Sequence, residues 1–172
     1  MKKSQILVAP PYYQAYLALI DDRKLMDYLS DGSTTWFRKN LEKLKKLDNK
    51  VYAEGKWTVK QIAHHVCDTE RIMTTRCLRI VRGDVEPQRG FNENVYAANS
   101  KSNSRTWESL LDEYNAVRQS SIHFFKSLSD DDMMKTCEVY KFNNSVIAMG
   151  FLIVAHPVHH CKVIAERYFP LI

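Results

Sequence analysis

Apolar side chains recur every three or four residues along several long stretches of this chain, a spacing that admits amphipathic helices and little else. Val59, Ile62, Val66, Met73, Cys77 and Ile80 form one stripe, with Thr58 placed to cap it and Gly83 to stop it. Trp107, Leu110, Leu111, Tyr114, Val117, Ser121, Phe124, Phe125 and Leu128 carry a second, opened by Thr106. A third starts at the cap Ser145 and reaches about Tyr168. Upstream, residues 11–29 and 30–48 hold Tyr13, Tyr16, Leu17, Ile20, Trp36, Phe37, Leu41, Leu44 and Leu47 at the same period, with Gly32 the weak point between them. Residues 129–145 include an extended piece, CEVYKF, but no convincing sheet. The pattern predicts an all-α four-helix bundle, one domain over residues 1–172. Its one long crossover, Gly83 to Arg105, is too long and polar to be a mere connector and is expected beside the functional end.

A chain of 172 residues with 45% hydrophobic content is enough for one substantial core and too short for two. The N-terminal MKKSQILVAPPYY lacks the hydrophobic run and cleavage site of a signal peptide. The longest apolar candidate, VIAMGFLIVA, is interrupted by His156 and Pro157, so no membrane span is expected. Cys67, Cys77, Cys137 and Cys161 show no CxxC spacing and read as reduced thiols. These features together predict a cytoplasmic protein. The net charge of +5 is spread, with Lys and Arg mixed among acids, and RKNLEKLKKLDNK reads as a solvated helix face. No nucleic-acid partner is expected; a basic surface suits anionic small molecules.

Three histidines carry the chemistry. His156 and His160 are one helical turn apart and share a face with Met149, Ile153, Ile164 and Arg167. His65 lies on the margin of the first stripe. Two packed helices can bring the three imidazoles to one point, which makes an open site for zinc or a similar borderline metal. His64 lies about 200° from Ile62 around the helix and is expected on the surface. Cys161, about 100° from His160, is not a fourth ligand. Asp68 lies about 60° from His65 and is a candidate catalytic or outer-layer carboxylate; Glu70, about 140° away, is the weaker one. Arg76 shares the side of His65. It either holds an anionic substrate or pairs with an acid such as Glu70 or Asp112. Pro157 removes a helical hydrogen bond and is expected to kink its helix.

KWTVKQIAHHVCDTERIMTTRCLRIVRGD resembles the signature of the DinB-like superfamily, closest to its YfiT-type metal-dependent hydrolases. GFNENVYA resembles the family's Gly-Phe-Asp segment, and AHPVHHCKVIAERY its closing Gly-His-x-x-His-His stretch. The sequence departs from that pattern at Ala155, where Gly is usual, and at Pro157. The resemblance implies a four-helix bundle of up-down-down-up connection, often a homodimer. It implies a divalent metal, nickel, zinc or iron, on His65, His156 and His160, with His159 on a variable position. The implied activity is on a small-molecule substrate: the metal activates water, as in a hydrolase, or a low-molecular-weight thiol, as in an S-transferase. The alternative is a non-enzymatic metal-binding stress-response module of the same fold. An open coordination position facing a pocket favours the enzyme, and a sealed site favours the module.

Overall fold

In the computed structural model, which describes residues 1–84 and 86–172, the N-terminal stripes fold as four short helices. These are α1 (Gln14–Leu17), α2 (Leu25–Ser30), α3 (Thr35–Lys39) and α4 (Leu41–Leu47). The expected long helices over 11–29 and 30–48 are thus interrupted, for local reasons. The Lys3 ammonium donates to the carbonyls of Leu17 (3.0 Å) and Ile20, taking oxygens that a continuing helix would use. Asp22 accepts from Ser4 N and Oγ, which fixes a turn. Gly32 adopts a φ of 85°, outside the helical region.

Helix α5 (Val59–Val81) opens on a capping box, with Thr58 Oγ1 accepting from Gln61 N and the Gln61 side chain returning to Thr58 N. Helix α6 (Glu93–Asn99) lies inside the expected crossover, capped by Asn92. Helix α7 (Trp107–Lys126) is capped by Thr106, and α8 (Asp130–Met134) is a single capped turn. An antiparallel hairpin follows, β1 (Thr136–Val139) and β2 (Phe142–Ser145), pairing Thr136 with Ser145 and Val139 with Phe142. This small sheet corrects the expectation of none. Its two-residue turn is Tyr140-Lys141, at φ 47° and 71°, so the Asn-Gly signature of such turns is missing from the sequence. Helix α9 (Val146–Val163) runs through Pro157 and continues as a π-helical turn, Ile164–Tyr168.

The pairings along the helices fix their directions. Glu70 meets Arg118 and Thr74 meets Ser121, so α5 and α7 run parallel. His65 meets His156 and His160, while Cys77 lies against Val146, so α9 runs opposite to α5. Leu29 meets Arg118 and Arg38 meets Asp112, so the N-terminal helices oppose α7. The bundle is up-down-down-up, and the parallel α5–α7 pair is what makes a long crossover necessary. From Val146 to Pro157 every residue of α9 is buried. Its extension to Leu171 is apolar and long enough to cross a membrane by composition, but 72% of that window is buried within the bundle, as in a core helix. Gly150 is required there, because a Cβ at this position would lie 2.7 Å from Leu25 Cδ2 and 3.1 Å from Phe125 Cε1.

Candidate metal centre

Helices α5 and α9 bring the three histidines together as their spacing predicts. His156 Nε2 lies 3.2 Å from His65 Nε2 and 3.0 Å from His160 Nε2. A tetrahedral ion with bonds of about 2.0–2.1 Å holds its nitrogens about 3.3 Å apart, so the rings fit one. Among the described residues this group comprises three ligands and no fourth. Burial holds the rings neutral, the form that offers a lone pair to a metal. His65 is drawn down to about 4 by desolvation against a small opposing pull from Glu93. His160 is drawn down to about 3 by desolvation and its neighbours, and His156 well below the usual imidazole value by the same causes.

Aromatic rings hold the imidazoles in place. Trp57 lies 4.7 Å from the His65 ring and stacks at 6.5 Å over His160. Its indole Nε1 donates to Asn94 Oδ1, and Tyr168 OH donates to its carbonyl. Tyr16 lies against His156 and His159. His159 is therefore not a member of the triad. Nor is Cys161, whose thiol is pushed up to about 12 by burial.

His64 points away from the triad, as expected, but it is not a surface residue. Its side chain is only 11% exposed, and Nε2 lies 3.7 Å from Glu113 on α7. Asp68 goes the same way, pairing with Arg71 at 2.9 Å. Because α5 is flanked by α7 and α9, a turn of 60° carries Asp68 from the histidine side to the α7 side. It does not line the cleft beside the triad. Glu70 is a structural residue: both its oxygens accept from Arg118, and the pair is 1% and 3% exposed. Asp112 binds Arg38. Arg76 therefore pairs with neither proposed acid.

The triad opens onto a cleft of about 350 Å³. One wall is α5, through His65, Thr69, Met73 and Arg76; the facing wall includes Tyr12, Tyr16, Leu152 and Tyr140. The crossover supplies Gly90, Phe91 and Glu93, so it does lie beside the histidine end. It is held there by Gln88, whose N–H donates to Glu138 O and whose carbonyl accepts from Tyr140 N. Asn103 at its far end meets Thr58. Glu93 is the carboxylate that sequence reasoning missed: it is the one acid lining this cleft among the described residues. The Thr69 hydroxyl, whose residue the spacing puts on the His65 side of α5 without assigning it a role, is buried without a hydrogen-bond partner among the described residues. Neither stood out, because Glu93 reads as an ordinary first-turn acid and Thr69 as stripe margin. Trp57 precedes the α5 cap, and that position was its only signal.

The family model of the DinB superfamily matches residues 21–164. No curated protein matches the chain in sequence. Among solved structures, the fold is similar to YfiT from Bacillus subtilis, described as a probable metal-dependent hydrolase with an unusual four-helix bundle topology. The TM-score is 0.69 at 16% identity, over 95% of this chain and 90% of that one. A match that spans α2 to the start of the final turn, with that fold and the three converging histidines, identifies the family: the chain belongs to the DinB superfamily.

Proposed function

We propose that this protein is a metal-dependent enzyme acting on a small molecule, with His65, His156 and His160 holding one divalent ion of nickel, zinc or iron. The observation that carries the reading is the convergence of three buried, neutral Nε2 atoms on a cleft, with no fourth protein ligand among the described residues. Bound there, the ion supplies Lewis acidity toward whatever occupies its open side, water in a hydrolase or a low-molecular-weight thiol in an S-transferase. Trp57 and Tyr16 fix the ring orientations and limit water around the triad. Glu93 is placed to accept a proton at the triad end of the cleft, the role that Asp68, bound to Arg71, does not fill. The unpartnered Thr69 Oγ1 supplies a hydrogen bond to a bound ligand. The open side and the cleft favour an enzyme over a non-enzymatic binding module. The YfiT description as a probable hydrolase agrees with the water-using form. A cytoplasmic homodimer completes the proposal, and the free thiols Cys67, Cys77 and Cys161 suit a reducing compartment.

The test is metal content across variants, measured by elemental analysis of the folded protein. His160→Ala should lose stoichiometric metal while keeping its helical spectrum. His64→Ala and His159→Ala should retain it. Equal loss at His64 and His160 would overturn the assignment, and native mass spectrometry of the same samples reads the oligomer.

A further inference from the structure

Arg76 is a buried cation without an acid. It is 8% exposed, and no carboxylate pairs with it among the described residues. Its Nη2 donates to the Arg89 carbonyl at 2.8 Å and its Nη1 lies 3.6 Å from Met73 Sδ. Its Cζ lies 5.9 Å from the Phe91 ring, and the side chain lines the cleft with donors to spare among its five. Beside its desolvation, the neighbours that act on its charge are Tyr13, Tyr12, Cys77 and Tyr96, all uncharged at neutral pH. The contrast within the same helix is clear: Glu70 is matched by Arg118, Asp68 by Arg71, and Arg79 by Asp84. An unmatched guanidinium out of water is costly, and an arriving anion removes that cost.

Its position defines the anion's carrier. Arg76 follows His65 by eleven positions on α5, about 16 Å along the axis. Helical side chains lean back toward the N-terminus, which leaves on the order of 10 Å between triad and guanidinium. Met73, Phe91, Val139 and Leu152 give the cleft its apolar lining, beside Thr69 and the rings of Tyr12, Tyr16 and Tyr140, while its one acid, Glu93, acts on His65 and Tyr16 at the triad end. Beyond Arg76 a groove carries the exposed Arg89; Arg71 and Arg79 also line it, each already paired with an acid.

We propose that Arg76 is the anion subsite of this cleft, receiving a carboxylate at the far end of an elongated, largely apolar substrate whose other end reacts at the histidine triad. The planar guanidinium matches a carboxylate in a two-point contact. The inference rests on the metal-enzyme reading for the reacting end only; the anion subsite stands on Arg76 itself.

Calorimetric titration of zinc-loaded protein with 8-mercaptooctanoic acid and 8-mercaptooctan-1-ol tests it, because the two differ only at the far end. The acid should bind at least about tenfold more tightly, the loss expected for one charge-assisted contact. With 3-mercaptopropionic acid and 3-mercaptopropan-1-ol the preference should vanish, since neither can span the gap. Arg76→Gln should abolish the preference of the long pair without changing the alcohol's affinity, and Arg76→Lys should restore part of it. Equal binding of the long acid and alcohol to the unaltered protein overturns the proposal, as does a preference that survives in Arg76→Gln. Octanoic acid against octan-1-ol on metal-free protein separates the two readings. A carboxylate preference there, with no gain from the thiol when zinc is added, sinks the metal reading and leaves the anion subsite standing.

Discussion

Metal-free protein should lose stability steeply as pH falls through the range in which free histidine titrates. Desolvation holds His65 at about 4 and His160 at about 3, and it holds His156 well below the ordinary value. In the unfolded chain all three return to about 6.5. Between those limits the unfolded chain takes up protons that the native rings refuse. The unfolded state therefore gains from acid, so stability is full above about pH 6.5 and is lost as pH falls toward 4. One such imidazole costs about 1 kcal/mol between pH 6.5 and 5.5, and three cost about 3 kcal/mol. That is a large share of the 5–15 kcal/mol typical of a domain. Glu113 does not confuse the slope: although burial raises it, Arg105 and Arg71 hold it at about 2, so its contribution is lost only as pH falls from the free-carboxylate value of 4.5 toward 2, below the window read here. Urea unfolding followed by circular dichroism in the presence of a chelator, at several pH values across this unit, reads the loss directly. A fall of less than about 1 kcal/mol, one proton's worth, would refute the idea that all three rings are held neutral by burial. With zinc present the fall should be steeper, because protons and metal compete for the same nitrogens.

Arg118→Met should cost about 3–5 kcal/mol by urea unfolding, because it strands the Glu70 carboxylate at 1% exposure. Pairing it with Glu70→Met should recover most of that loss, and a single-variant cost under about 1 kcal/mol would mean the ion pair is not intact. Gly150→Ala should destabilise by about 1–3 kcal/mol, since the new Cβ meets Leu25 and Phe125 in a filled core. A neutral result would mean that α2 and α7 stand farther from α9.

The long stripes were legible because burial on one side of a helix imposes its period on the sequence. α5, α7 and α9 begin on Thr58, Thr106 and Ser145, the caps that the sequence offers. The triad was legible for a related reason: the i,i+4 pair His156 and His160 needs only one partner helix, and His65 faces it. What failed depends on neighbours distant in sequence. The interruption of the N-terminal stripes needs Lys3 and Ser4, which no local window includes. The hairpin turns on Tyr140 and Lys141, residues with no preference for positive φ. Around α5, Asp68 lies about 60° from His65 to one side and Arg76 about 20° to the other. Which neighbouring helix flanks each side decides that the first meets Arg71 and the second the cleft. Glu93 required the crossover to return along α5, a tertiary fact.

The parallel course of α5 and α7 forces the chain to travel back along the outside of the bundle. That return path walls the cleft through Gly90, Phe91 and Glu93, whereas the ligand nitrogens ride on α5 and α9. The histidine triad and this wall of the cleft thus lie in separate stretches of sequence. Substitutions or insertions between Glu86 and Arg105 can reshape the set of molecules admitted while the histidines and the apolar interior stay as they are. A topology that looks like an awkward detour lets a single connection change the shape of the cleft while the histidine cluster stays as it is.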